Sequence, residues 1–214
     1  MPFAPHAALA ASLLETLGPD TTDGSHDFTH IRRVWRNATA IARTEPASDT
    51  ELLLAAVILH DCVAVEKSSP LRSQASRLSA ARAREIIRPF GWPAARVDNL
   101  AHAIATHSFS AGLRPETLEA RILQDSDRLD AIGAVGIARC FHIGGRLQSG
   151  LYSPDDPAAD NRALDDRRYV LDHFKVKLFQ VCEGFLTPAG QAMAAERSRV
   201  MHGFVADFLA EIAV

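Results

Sequence analysis

The densest apolar run in the chain is Leu52-Leu53-Leu54-Ala55-Ala56-Val57-Ile58-Leu59, and it ends directly on His60-Asp61. A run apolar on every face belongs inside a fold. Around it the apolar positions recur at helical spacing. Ala4 to Leu17 reads as a helix closed by Gly18-Pro19. His26 to Glu45 reads as a long one, with Ile31, Val34, Trp35, Ala38 and Ile41 on one face. Ser48 or Asp49 caps the helix that carries the apolar run through to His60-Asp61. Further helices are expected over Ser76 to Phe90, from Pro93 to about His107, and from Pro115 toward Asp130. The pattern continues over Ala131 to Phe141, Leu164 to Phe185, and from Thr187-Pro188 to about Ile212. Gly144 to Asn161, rich in Gly, Ser, Pro and Asp, is the longest irregular stretch, and long loops in compact domains are often functional. Alternating β-branched runs are missing. The expectation is a single all-α domain over residues 1–214, built from about eight or nine helices.

Composition narrows the classes. Of 214 residues, 47% are hydrophobic and 23% charged, as in a globular protein. The formal charge of -3 gives no global case for nucleic acid, and no polymer partner is expected. The arginines at 77, 82, 84 and 88 lack interleaved aromatics and read as a solvated helix face. No run reaches the roughly 18 apolar residues of a membrane span. Met1 to Leu17 has no Lys or Arg before its apolar part, so it does not read as a signal peptide. Cys62, Cys140 and Cys182 are odd in number and far apart, which fits a reducing cytoplasm rather than a disulfide framework.

A His-Asp pair at the end of a core helix needs a partner or a metal, because burying charge alone is expensive. Neighbours on a helix point roughly 100° apart, so both can lean toward one ion. Two other places supply donors. His30 lies on the apolar face with Val34 and Ile41, and His26 is its runner-up at the helix start. Asp127 sits among the acids of Gln124-Asp125-Ser126-Asp127-Arg128-Leu129-Asp130, a poor pattern for a core face unless a cation is there. His30, His60, Asp61 and Asp127 give two imidazoles and two carboxylates. That mix suits one octahedral divalent ion, with Mn2+ favoured and Fe2+, Co2+, Ni2+ or Mg2+ as alternatives, rather than a thiolate zinc site. The ion can generate a nucleophile from water and offset charge on a phosphoryl oxygen.

These residues resemble the H…HD…D signature of the HD-domain metal-dependent phosphohydrolase superfamily. The likeness extends to Ser25-His26-Asp27-Phe28-Thr29-His30, Lys67-x-x-Pro70-x-Arg72, Ala105-Thr106-His107-Ser108-Phe109-Ser110, the acidic motif continued to Arg139, and Asp172-His173-Phe174-x-x-Lys177-Leu178. Together they are similar to a subgroup of small bacterial HD hydrolases that includes a nucleotide pyrophosphohydrolase. The resemblance implies an all-α fold, one divalent metal and hydrolysis of phosphoesters or phosphoanhydrides. Ser126 departs from the Ala common in the acidic motif. The Glu-Asp pair of guanosine tetraphosphate hydrolases and the Gly-Tyr-Pro motif of cyclic dinucleotide phosphodiesterases are absent.

The expected function is a nucleoside triphosphate pyrophosphohydrolase with a small-molecule nucleotide substrate. The alternatives are a nucleoside 5′-monophosphatase, another small-phosphoester phosphodiesterase, or a non-catalytic nucleotide-sensing module. His60, Asp61 and His107 are the expected catalytic residues, with His107 as a phosphate contact or general acid. Lys67, Arg72, His173 and Lys177 are the other candidate substrate contacts, arginine because it can grip phosphate with two bonds. Glu66 could orient water but reads as a solvated loop carboxylate.

Overall fold

A computed structural model describes residues 3–18, 28–65, 69, 71–108 and 111–213, without the side chain of Arg72. His26, Glu66 and Lys67 lie outside the described residues. The chain divides into two compact units, residues 1–127 and 128–214. Every regular element among the described residues is helical, and the sole strand-like feature is an isolated bridge between Gly150 and Tyr169.

In the first unit α3 (Thr50–Leu59) is the central element. All eight residues from Leu52 to Leu59 are buried, and α1 (Ala7–Leu17), α2 (Phe28–Ala42), α4 (Ala75–Ile87) and α5 (Ala94–Thr106) pack around it. Each leucine buried there contributes about 1.5–3 kcal/mol relative to exposure. Asp49 caps α3 by accepting from Leu52 N at 3.0 Å. Arg96 on α5 grips the same carboxylate with Nε and Nη2, both at 2.8 Å, and lies over the Trp92 ring. Burial pushes the Asp49 carboxyl up, but Arg96 and the Leu52 N–H outweigh it and hold it below the usual range. The α3 helix stops at Leu59, short of the expected His60-Asp61, leaving His60 as its C-terminal cap. The helix α6 (Leu118–Asp130) buries Ala120, Ile122 and Leu123 and runs up to Asp127 and across the unit boundary.

The second unit holds α7 (Gly133–Arg146), the short α8 (Phe179–Val181) and the long α9 (Pro188–Glu211). Thr187 caps α9 by accepting from Gly190 N, with Pro188 in the first turn as expected. The α7 helix runs past the expected Phe141 to Arg146, so the irregular stretch starts at Leu147. Gly144 is buried, and a Cβ there would lie 2.2 Å from Val170 Cγ2, so only glycine allows this approach.

The helix expected from Leu164 to Phe185 is the clearest correction. Leu164 to Leu171 has no helix, and the helical part starts at Asp172. Side chains take the backbone groups a helix would need: Asp165 accepts from Arg167 N and Arg168 N, and Asp172 accepts from Asp165 N at 2.7 Å. Such local bonds compete with helix. Main-chain bonds from Gly150 N to Arg168 O and from Val170 N to Gly150 O, both 2.9 Å, close the loop at its base. From Phe174 to Leu178 the helix is wound as a π-turn before it enters α8. Tyr152 in the loop packs edge-on against Phe208 at 5.7 Å.

Arg162 closes the loop with a bidentate ion pair to the buried Asp172, at 2.6 and 2.7 Å. Burial raises the Asp172 carboxyl, but Arg162 and the Asp165 N–H more than offset this and hold it below the usual carboxylate range. A depressed carboxyl stabilises the fold above its unfolded pKa, and that contribution is lost as pH falls through the folded value. Asp172→Asn therefore lowers the thermal midpoint at neutral pH. The gap from wild type narrows once pH drops below about 3.9, the unfolded carboxylate value. A gap unchanged down to about pH 3 in a melting series removes the ion pair as its source.

Candidate metal centre

The site grows from two helix ends. His60 follows α3 and His107 follows α5, both in right-handed helical conformation. Each ring donates its Nδ1–H to the carbonyl three residues back, His60 to Val57 O and His107 to Ile104 O, both at 2.7 Å. A carbonyl only accepts, so Nδ1 carries the proton and Nε2 is the free end in each neutral ring. The backbone thus aims both Nε2 atoms. The rings meet edge-to-face with centroids 4.9 Å apart, and both are buried.

His30, on the buried face of α2, brings its Nε2 to 3.2 Å from His60 Nε2. Asp127 Oδ1, from α6, lies 3.5 Å from His30 Nε2 and 3.8 Å from His60 Nε2. Asp127 keeps 27% of its side chain exposed, so this group of donors has a face toward solvent. Asp61 stands on the other side of His60: its Oδ2 is 3.6 Å from His60 Nε2 and its Oδ1 is 3.5 Å from His107 Nε2. The donors therefore form two groups that share His60, namely His30–His60–Asp127 and His60–Asp61–His107.

The residues fit a divalent ion on their chemistry. A lone pair on His60 Nε2 faces another imidazole nitrogen and two carboxylate oxygens within 3.8 Å. Donors held about 2.1 Å from one octahedral ion stand about 3 Å apart along its edges, close to the tightest spacing here. Burial pushes His60 below the ordinary imidazole range, against the opposing pull of Asp61. That keeps its ring neutral, as ligation requires. His107 goes the other way: burial lowers it, but the hydrogen bond and charge of Asp61 prevail and raise it. His107 is thus suited to carry a proton beside Asp61.

Four of the candidate residues, His30, His60, Asp61 and Asp127, come together in the first unit, and His107 joins them through Asp61. His173 belongs to the second unit, where its Nδ1 pairs with Asp166 Oδ2 at 2.8 Å. Lys177 is exposed on the π-turn of that unit. Nothing is described for Lys67 or the side chain of Arg72.

Three buried side chains next to the donors are given no role by the motifs. Asn37 Nδ2 donates to Ser126 O at 3.0 Å. Gln124 Nε2 donates to Thr106 O at 2.8 Å. Ser79 Oγ accepts from Val63 N at 3.2 Å, and its carbonyl accepts the Cys62 thiol at 3.5 Å. For Asn37 and Gln124 spacing was the available signal: Asn37 is two helical turns after His30, and Gln124 one turn before Asp127, each on its donor's face.

The HD domain model matches residues 27–132. YpgQ of Bacillus subtilis is 31% identical over 196 residues, covering 90% of this chain and 86% of YpgQ. This chain belongs to the HD-domain family. The HD match takes in His30, His60, Asp61, His107 and Asp127 and stops well before His173 and Lys177. The crystal structure of YpgQ in complex with ADP aligns with a TM-score of 0.73 at 27% identity, over 99% of this chain and 97% of that one. An HD-superfamily hydrolase from Bacillus thuringiensis aligns with a TM-score of 0.71 at 26% identity, over 98% and 95% of the two chains. The likeness to these structures thus extends along nearly the whole sequence.

Proposed function

We propose that the protein is a divalent-metal-dependent phosphohydrolase acting on nucleotides, and that it splits nucleoside triphosphates into nucleoside monophosphate and pyrophosphate. The observation that carries the proposal is the meeting of the buried His30 and His60 with the partly exposed Asp127, with Asp61 beside His60. The ADP held by YpgQ supports a nucleotide as the ligand class. Similarity to that protein over 99% of the chain supports treating residues 1–214 as one HD-type functional domain.

His30, His60, Asp61 and Asp127 would hold the cation, with Mn2+ as the first metal to try. When bound, a divalent ion supplies Lewis acidity toward water and phosphoryl oxygen. The protein's own part begins with the Nδ1–H bonds that aim His60 and His107. His107, favoured in its protonated form by Asp61, serves as the proton donor to the departing phosphate oxygen. Lys67, Arg72 and Lys177 enter as cations able to meet phosphate, and His173 as an imidazole able to bond it.

Metal-stripped protein refilled with Mn2+ and given ribo- and deoxynucleoside mono-, di- and triphosphates tests the reading. Anion-exchange analysis should show monophosphate and pyrophosphate from triphosphates. Nucleoside and phosphate from monophosphates would replace the pyrophosphohydrolase reading with a 5′-nucleotidase. Absence of any turnover, with nucleotide still raising the melting temperature, would leave a nucleotide-sensing module.

A further inference from the structure

We infer that Asn37, Gln124 and Ser79 are positioning residues of the metal centre, setting donor spacing through main-chain clamps; this rests on the metal reading proposed above. Each bond lands beside a donor. Asn37 reaches Ser126, the residue before Asp127. Gln124 reaches Thr106, the residue before His107. Ser79 holds Cys62 and Val63, the residues after Asp61. The His60 and His107 rings are in addition tied directly, to Val57 O and Ile104 O.

All three clamp residues are buried, with 3%, 5% and 1% of their surface exposed. A buried amide or hydroxyl is expensive unless bonded, so an aliphatic residue would be the simpler way to fill such positions. Asn37 is the most telling. Ser126 lies inside α6, where its carbonyl also accepts the helical bond. Asn37 therefore rescues no orphaned group there. What its bond does is fix α2, which carries His30, in register with α6, which carries Asp127. Gln124 does satisfy an orphan, since Thr106 O is among the last carbonyls of α5. By doing so from α6 it ties Asp127's helix to the turn that bears His107. The pair thus ties α6 to α2 and to the end of α5, and Ser79 secures the turn at Asp61.

Partners that orient metal ligands change metal affinity by about 10–100-fold when removed. The test titrates MnCl2 into metal-free wild type, Asn37→Leu, Gln124→Met, Ser79→Ala and Asn99→Leu by calorimetry. The Leu and Met replacements keep volume and delete the donor. Asn99 bonds Glu119, away from the donors, and serves as the control. Stoichiometry counts folded protein, and the dissociation constant reports the quality of the site. Asn37→Leu and Gln124→Met should each weaken Mn2+ binding about tenfold or more, Ser79→Ala should weaken it in the same direction, and Asn99→Leu should match wild type. If Asn37→Leu does not fold, Gln124→Met and Ser79→Ala carry the test. Wild-type affinity in the folded clamp variants, or an equal loss in Asn99→Leu, overturns the positioning role. Failure of wild type itself to bind Mn2+ removes the metal reading and the clamp proposal with it.

Discussion

His60→Ala abolishes Mn2+ binding and lowers kcat/KM for nucleotide hydrolysis by about a thousandfold or more. A bound metal contributes several kcal/mol to such a reaction, and each 1.36 kcal/mol is about tenfold in rate. His60 is the donor shared by both groups, within 3.8 Å of His30, Asp61 and Asp127. Its removal takes a ligand from each side. The loss should exceed that of His107→Ala, because His107 faces Asp61 and not His30 or Asp127. His102→Ala is the control: His102 Nε2 accepts from Glu116 N in a partly exposed position. Calorimetry with MnCl2 beside steady-state kinetics checks both variants. Full Mn2+ affinity in His60→Ala would dismiss the metal centre, and full activity without metal would dismiss the mechanism.

The meeting of His30, His60, Asp61 and Asp127 could be read because the signals for it are local. An apolar run that breaks off on His60-Asp61 is visible in one glance along the chain, and the cap at Asp49 marks where its helix starts. His30 and Asp127 stood out as polar residues on faces that otherwise pack inward. What could not be read is how the donors divide. Asp61 stands between His60 and His107, a grouping decided by where α5 ends relative to α3, and no spacing in the sequence encodes that. The clamps were hidden for the same reason, since Asn37 meets a carbonyl 89 positions away. In the second unit the failure was local. Leu164, Val170, Leu171 and Phe174 mimic a helical stripe, yet Asp165 and Asp172 bond the backbone themselves and keep it irregular. Helical periodicity counts apolar residues and is blind to carboxylates that compete for N–H groups.

Phe174→Ala removes about 3–5 kcal/mol of stability from the protein, the range for deleting a buried aromatic ring. Phe174 is 0% exposed. Its ring stacks on Phe204 of α9 at 5.8 Å and 22°, and tilts against Phe141 of α7 at 6.3 Å. Phe179, at the start of α8, closes the cluster at 6.1 Å. One ring thus joins α7, α9 and the π-turn of the second unit, and truncation leaves a cavity that three separate elements would have to shift to fill. The π-turn is part of the reason: across Phe174–Leu178 it buries both end residues and leaves Lys175 and Lys177 at the surface. A loss of this size is a large share of the roughly 5–15 kcal/mol that holds a typical domain together. In urea the midpoint should fall while the slope stays constant. Phe174→Leu should lose less than the alanine variant, because it leaves a smaller void. A change below about 1 kcal/mol would mean that the elements collapse onto the gap, and that the aromatic cluster, rather than this one ring, sets the packing.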